Sequence, residues 1–527
     1  MWLFPAQHVD IGKCVSPSPL IAVGCSPSIG CCIQGMMLRG GRPAGDRDQH
    51  LLRPTHPEHV EGCDDDDCPH EPQRQDEQWK EGIFHRERCN SAHCPAKHKR
   101  AFKTNARRSA ASRYTSFVMS TIAPPAPPQK INLRRPDIMS AVQAQVESHY
   151  RSTLVERIRA SGNELAAPGL TIKLAKEFGF CYGVERAIDL AYAARRSFPP
   201  EKPIYLLGEI IHNPEVNDQI RHMGIRTISN KPNDAELAML QREDVVIIPA
   251  FGTEVATRRK LEEKGCVLVD TTCGDVMSVW KRVRQYSKET VTSIIHGKAK
   301  HEETKATTSQ ATAYGAGHYL VVFNLAETDY VCDYILRGGD KAEFLEKFKG
   351  AHSPGFDPDK DLLAVGVANQ TTMLRGETEE VQRRFRAAME KKYGAAKLED
   401  HFRFFDTICG ATQDRQDALE KLLQTKLDLL LVIGGYNSSN TSHLAEMGEK
   451  VLPTFFIKNA AKMESAALIH HWNQHTHVEE ATTNWLPSGP VTVGITAGAS
   501  CPNNLIEDTI RRLCELRGIA VQELVGN

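Results

Sequence analysis

The chain has 527 residues, of which 41% are hydrophobic, and a formal net charge of −1. That length suits about three domains, and the near-zero charge excludes the basic field of a nucleic-acid binder. No run of about 18 apolar residues is present, so no membrane span is expected, and the first residues lack the basic-then-apolar order of a secretory signal.

Residues 1–118 mix Pro, Gly, His and charge without a helical or strand period, and "CDDDDCPHEPQRQDEQ" is a solvated acidic tract. Such composition predicts a disordered or mis-assigned tail. Of the 15 cysteines, eight lie before residue 95 and seven after residue 180. Without an export signal they read as metal ligands, redox groups or small core residues rather than a disulfide framework. A zinc site from Cys63, Cys68, Cys89 and Cys94 is conceivable, but the pairs are loosely spaced and no element frames them. The stretch from Arg88 to Pro136 has no acidic residue. It is faintly transit-like but internal, which favours the cytoplasm, with the plastid as the alternative. Met119 opens "MSTIAPPAPPQ", a Pro-rich linker. The pattern over 139–162 predicts one helix ending at a Gly stop, so residues 119–169 read as linker and helix.

From residue 170 short apolar runs alternate with helix-like segments: "PIYLLGEII", "DVVIIPAF", "CVLVDTTC", "TSIIHG", "YLVVFN", "LLAVGVAN", "LDLLLVIGG" and "PVTVGITAG". That alternation predicts α/β units with parallel sheets. In such folds, sites form beyond the carboxyl ends of the strands. Two of these ends carry nearly the same six letters, "DTTCGD" at 270–275 and "DTICGA" at 406–411. Each places a cysteine, Cys273 or Cys409, between a strand and a helix N-terminus, where dipole and free amides favour a thiolate. "GFCYGVERA" places Cys181 in the same way. A lone cysteine in such a turn is most simply a buried core residue. The repeat argues otherwise. Three similar lobes, each offering one thiolate, would point all three at a common centre suited to iron–sulfur or zinc. Three ligands on a cubane leave one iron open, a Lewis-acid site.

Other strand ends carry polar loops: "GGYNSSNTSHL" with Ser438, Ser439 and Asn440, "TAGAS" with Ser500, "NQTTML" with Thr371, "IIHNPEVN" with His212, and "HEET" with His301 and Glu303. Hydroxyls and amides at helix N-termini can cradle phosphate, although taken singly each reads as ordinary capping, and Glu303 as a solvated first-turn carboxylate.

These motifs, in this order from about residue 171 to 520, resemble the 4-hydroxy-3-methylbut-2-enyl diphosphate reductase (LytB) family, and "PAFGTEV", "VCDYIL" and "GFDPDKDL" resemble its longer plant and cyanobacterial branch. The resemblance implies three α/β lobes, about 170–273, 274–406 and 407–520, in a trefoil around one 4Fe–4S cluster. It carries the three cluster ligands onto Cys181, Cys273 and Cys409, and proton delivery onto Glu303. Substrate binding falls on His212, His301, Thr371, Ser438, Ser439, Asn440 and Ser500. The implied reaction is reductive dehydroxylation of a small allylic diphosphate to isopentenyl and dimethylallyl diphosphate. Short bacterial forms have a phosphate-contacting His where this chain has Phe251, and His443 is a candidate replacement. No flavin or nicotinamide fingerprint is present, so electrons are expected singly from an external donor such as ferredoxin or flavodoxin. Two other classes stand beside this one. An open-iron hydro-lyase would need Arg clusters for carboxylates, and a non-catalytic redox sensor would not need five polar loops.

Overall fold

Among the described residues two helices, not one, precede the first strand. The structure, a computed structural model, describes residues 133–520 apart from 314, 316 and 406. The tail expected at 1–118 and its conceivable zinc ligands lie outside the described residues. Helices Pro136–Tyr150 and Thr153–Ala160 are separated at Arg151 and Ser152. The single helix expected over 139–162 breaks there because Ser152 caps the second helix, accepting from the Val155 N–H at 3.0 Å. Its hydroxyl also donates to Glu507 at 2.5 Å, so a distant contact fixes the break.

The Val- and Ile-rich runs form strands buried on both faces, among them Val245–Ile248, Thr292–His296, Val365–Asn369 and Leu429–Ile433. Full burial of this kind belongs to parallel sheets covered by helices. The first sheet has four parallel strands, in the order Arg226–Ile228, Ile204–Leu207, Val245–Ile248 and Val267–Asp270. The second, also all parallel, runs Phe402–Phe404, Val365–Asn369, Thr292–His296 and Tyr319–Val322. In the third, Leu170–Leu174, Val491–Ala497, Leu429–Ile433 and Thr454–Ile457 are parallel, and Glu164–Ala167 joins antiparallel at the edge. A three-stranded antiparallel ribbon, Met463–Ser465, Leu468–Asn473 and Val478–Thr483, is appended.

The strand Leu170–Leu174 therefore belongs to the third sheet, not the first. Its register is set by Val491–Ala497, more than 300 residues away in sequence, which corrects the lobe boundary expected at 170. The chain then leaves this sheet through Cys181 into helix Tyr182–Ser197. Val184, Ala187, Ile188 and Ala191 of that helix lie on one buried stripe and pack with Ile204, Leu206, Val245 and Ile247 of the first sheet. The i, i+3, i+4, i+7 spacing makes the stripe, and each large aliphatic buried there contributes about 1.5–3 kcal/mol. Among the described residues no helix is long and apolar enough to cross a membrane.

Candidate functional site

The three sheets each deliver one cysteine, and each cysteine is the residue just before a helix. Cys181 precedes Tyr182–Ser197, Cys273 precedes Gly274–Lys288, and Cys409 precedes Gly410–Leu423. Their backbones are held alike. The N–H of Cys273 donates to the Ala250 carbonyl at 2.8 Å, that of Cys181 to Ala499 at 3.2 Å, and that of Cys409 to Thr371 at 3.5 Å. Each acceptor lies just past the end of the neighbouring strand. The repeated Thr makes the same tie: the Thr271 hydroxyl donates to the Ile248 carbonyl at 2.6 Å, and the Thr407 hydroxyl donates to the Asn369 side-chain oxygen. The shared hexamer thus writes one device twice, a turn pinned to its neighbour strand that aims a thiol outward from the sheet.

All three thiols line a single cavity of about 110 Å³. A Cβ added to Gly183 would lie 2.5 Å from Cys273 Sγ and 3.9 Å from Cys181 Sγ, so only glycine lets the first turn of that helix approach both sulfurs. The cysteines form no disulfide. Burial pushes the Cys273 thiol up, although the nearby Asp275 and Val276 amides act downward, and it pushes Cys409 up to about 12. Desolvation therefore outweighs the helix amides, contrary to the expectation of thiolates from the dipole alone.

His212, His301, Glu303, Thr371, Ser438, Ser439, Asn440 and Ser500 line the same cavity. The three cysteines, these seven binding candidates and Glu303 therefore face one space. Glu303 is not a solvated carboxylate. It is 3% exposed and accepts from the Thr371 N–H at 2.6 Å and the Thr371 hydroxyl at 2.9 Å. Burial raises it from 4.5 to about 7, with Thr371 and His212 acting downward and Asp275 upward. His301 caps the helix Glu302–Thr312, its Nδ1 accepting the Glu303 N–H at 3.2 Å. Burial holds His301 well below its usual range. A neutral ring whose Nδ1 accepts must carry its proton on Nε2. That Nε2 and the Nδ2 of Asn440 are buried without hydrogen-bond partners. Both are donors facing the cavity, as an anion site requires.

The remaining hydroxyls tie the loops to one another. Ser500 Oγ donates to the His212 carbonyl at 3.1 Å, and Ser439 Oγ accepts from Gln370 Nε2 at 3.1 Å. Phe251 stacks on His212 with ring centroids 4.7 Å apart. His443 does not line the cavity and does not take the place of a histidine at position 251. It is buried, its Nδ1 3.0 Å from Glu446. On the helix Ser439–Glu449 it follows Ser439 by four residues and Asn440 by three, and its side chain turns toward Glu446 rather than into the cavity, a direction that sequence spacing alone does not settle. Sequence reasoning missed Asp275, which lines the cavity, and Arg415, a buried residue whose guanidinium donates to the Gly179 carbonyl at 2.6 Å. Only the nearness of Asp275 to Cys273 in "DTTCGD" hinted at the first.

Fold and cavity together define a class: a three-lobed α/β protein whose strand ends converge on a thiol-lined, donor-rich centre. The family follows from comparison. The family model described as LytB protein matches residues 172–514, and the chain belongs to the LytB family. It is 48% identical over 396 residues to the 4-hydroxy-3-methylbut-2-enyl diphosphate reductase of Gloeobacter violaceus, covering 74% of this chain and 93% of that protein. The reductase of Thermosynechococcus vestitus is 48% identical over 380 residues, covering 72% and 93%. Among solved structures, a reductase of Plasmodium falciparum aligns over 65% of this chain and 87% of that one, with 22% identity and a TM-score of 0.48.

Proposed function

We propose that this chain reduces 4-hydroxy-3-methylbut-2-enyl diphosphate to isopentenyl and dimethylallyl diphosphate, the last step of the non-mevalonate route. It acts through a 4Fe–4S cluster held by Cys181, Cys273 and Cys409. One observation carries the reading: a single cavity joins three thiols, each just before a helix and each from a different sheet, to a buried acid and unpartnered donors. The cysteines fit such a group, since Gly183 leaves the room that any Cβ would fill and soft thiolate donors suit iron–sulfur. When bound, the cluster supplies single electrons and one iron without a protein ligand.

The rest is the work of this chain's own residues. His212, His301, Ser438, Ser439, Asn440 and Ser500 receive the diphosphate, and the donors among them offset its charge. Their loops come from all three sheets, so binding fixes the substrate's orientation. Glu303 holds a proton near neutral pH beside the Thr371 hydroxyl, placed to deliver it to the departing oxygen. The net change consumes two electrons and two protons and releases water. The electrons come from an external one-electron donor such as ferredoxin or flavodoxin. The cyanobacterial relatives favour the plastid alternative over the cytoplasm, and fractionation of the native cell decides between them.

The test is an anaerobic assay of the iron-loaded chain with reduced methyl viologen and the allylic diphosphate. Formation of both five-carbon diphosphates is expected. An iron-loaded protein that leaves the substrate unchanged overturns the reading.

A further inference from the structure

His212 is gripped from several sides. Its ring face stacks on Phe251 with planes 10° apart. Its Nδ1 lies 3.0 Å from Glu209 Oε2, and its Nε2, with Glu302 Oε2 3.8 Å away, has no hydrogen-bond partner. Glu209 Oε2 also accepts from Asn437 Nδ2 at 2.8 Å, and Asn437 immediately precedes Ser438, the cap of the helix Ser439–Glu449. Burial acts upward on the Glu209 carboxyl, but the hydrogen bonds from His212 and Asn437 outweigh it and hold the group below the usual carboxylate range. Glu209 is therefore the ionised acceptor, and Nδ1 of His212 is the donor. The backbone is clamped as well, because a Cβ on Gly435 would collide with the His212 carbonyl.

A carboxylate beside an anion site poses a problem. By Coulomb's law alone it repels a diphosphate, and removing it would tighten binding. We infer that Glu209 is a positioning residue for the diphosphate. It holds the Nδ1–H of His212 and the amide of Asn437 on one oxygen, so that Nε2 of His212 from the first sheet, a donor when the ring carries its second proton, and the donors of Ser438–Asn440 from the third are presented in a fixed register. The inference rests on the reading of this cavity as a diphosphate site. It follows the general behaviour of outer partners, which orient a ring by engaging the nitrogen that does not face the ligand. It also reverses the sign expected from charge: losing Glu209 weakens binding.

The experiment uses the cluster-loaded full chain and three variants. Glu209→Ala removes the acceptor. Glu209→Asp keeps the charge but shortens the reach by one methylene, and Glu209→Gln keeps the reach without the charge. Anaerobic kinetics with the allylic diphosphate are expected to show KM raised about tenfold or more in the Ala and Asp variants, the scale of one hydrogen bond to a charged group. In those variants kcat stays within about twofold, and Gln stays within about threefold of wild type in both constants. In a His212→Ala, Asn437→Ala background, Glu209→Ala is expected to add no further rise, since it acts through those two groups. A KM that falls or holds steady in both Ala and Asp overturns the inference, as does a further tenfold rise in that background. If Glu209→Ala does not load iron, the contrast between Asp and Gln decides. Calorimetry with inorganic diphosphate must give the same order. A wild-type chain that binds diphosphate but does not turn over refutes the reductase reading while the role of Glu209 is still read from binding.

Discussion

Glu303→Gln changes activity and stability in opposite directions, and both magnitudes follow from the burial of one carboxyl. The group sits beside Thr371, which donates to it at 2.6 and 2.9 Å, and burial lifts it from 4.5 to about 7. Because the folded value lies above the unfolded one, the fold favours the protonated form. The cost of burying the charge is absent below about pH 4.5, grows as the pH rises, and is complete above about pH 7. At about 1.4 kcal/mol for each tenfold, that cost is about 3 kcal/mol. Gln carries no charge, so at pH 8 the variant is expected to exceed the wild type in stability by about 2 kcal/mol. This allows about 1 kcal/mol for a weakened hydrogen bond to Thr371. At pH 4.5 only the weakened hydrogen bond is left, and the variant is expected to be about 1 kcal/mol less stable than the wild type. Turnover is expected to fall by about 10²- to 10⁴-fold, the usual worth of a positioned acid, and wild-type turnover is expected to decline above about pH 7 as the proton is lost. Urea unfolding of the iron-loaded proteins at pH 4.5 and pH 8, with anaerobic turnover measured from pH 6 to 9, reads all of these. Near-normal turnover in Glu303→Gln, or a stability gain that is the same at both pH values, refutes the reasoning.

Cys181→Ser, Cys273→Ser and Cys409→Ser are each expected to lower iron per chain and abolish turnover. Ser at Cys266, Cys332, Cys501 or Cys514, all buried in apolar cores, keeps the iron and costs about 1–3 kcal/mol of stability; iron analysis with thermal unfolding separates the two groups. Gly183→Ala is expected to keep its helix, for which Ala is the better residue, yet to lose iron because its Cβ meets Cys273 Sγ at 2.5 Å. Circular dichroism beside iron analysis checks both halves. Ser438→Ala combined with Asn440→Ala is expected to raise KM before kcat suffers, which steady-state kinetics reads directly.

The fold class and the cavity's lining were legible because both depend on short-range text. An apolar run of four to seven residues followed by Cys, Gly, Ser or His marks a strand end, and strand ends are where an α/β fold gathers its polar groups. What stayed hidden depended on distance along the chain. Ser152 breaks an otherwise continuous helical pattern because Glu507 receives its hydroxyl. Leu170–Leu174 reads equally well as the first strand of a first lobe, and only Val491–Ala497 claims it for the third sheet. That pairing matters to the site, because it makes Cys181 the third sheet's contribution to a threefold set. Side-chain direction was equally closed to spacing rules. His443 lies within five residues of Ser438, Ser439 and Asn440 and yet points to Glu446. Glu303 looks like any first-turn carboxylate until Thr371, from another strand end of the same sheet, covers it. The burial that hid the chemistry of Glu303 from the sequence is also what creates it, since the same carboxyl left in water would hold no proton at neutral pH.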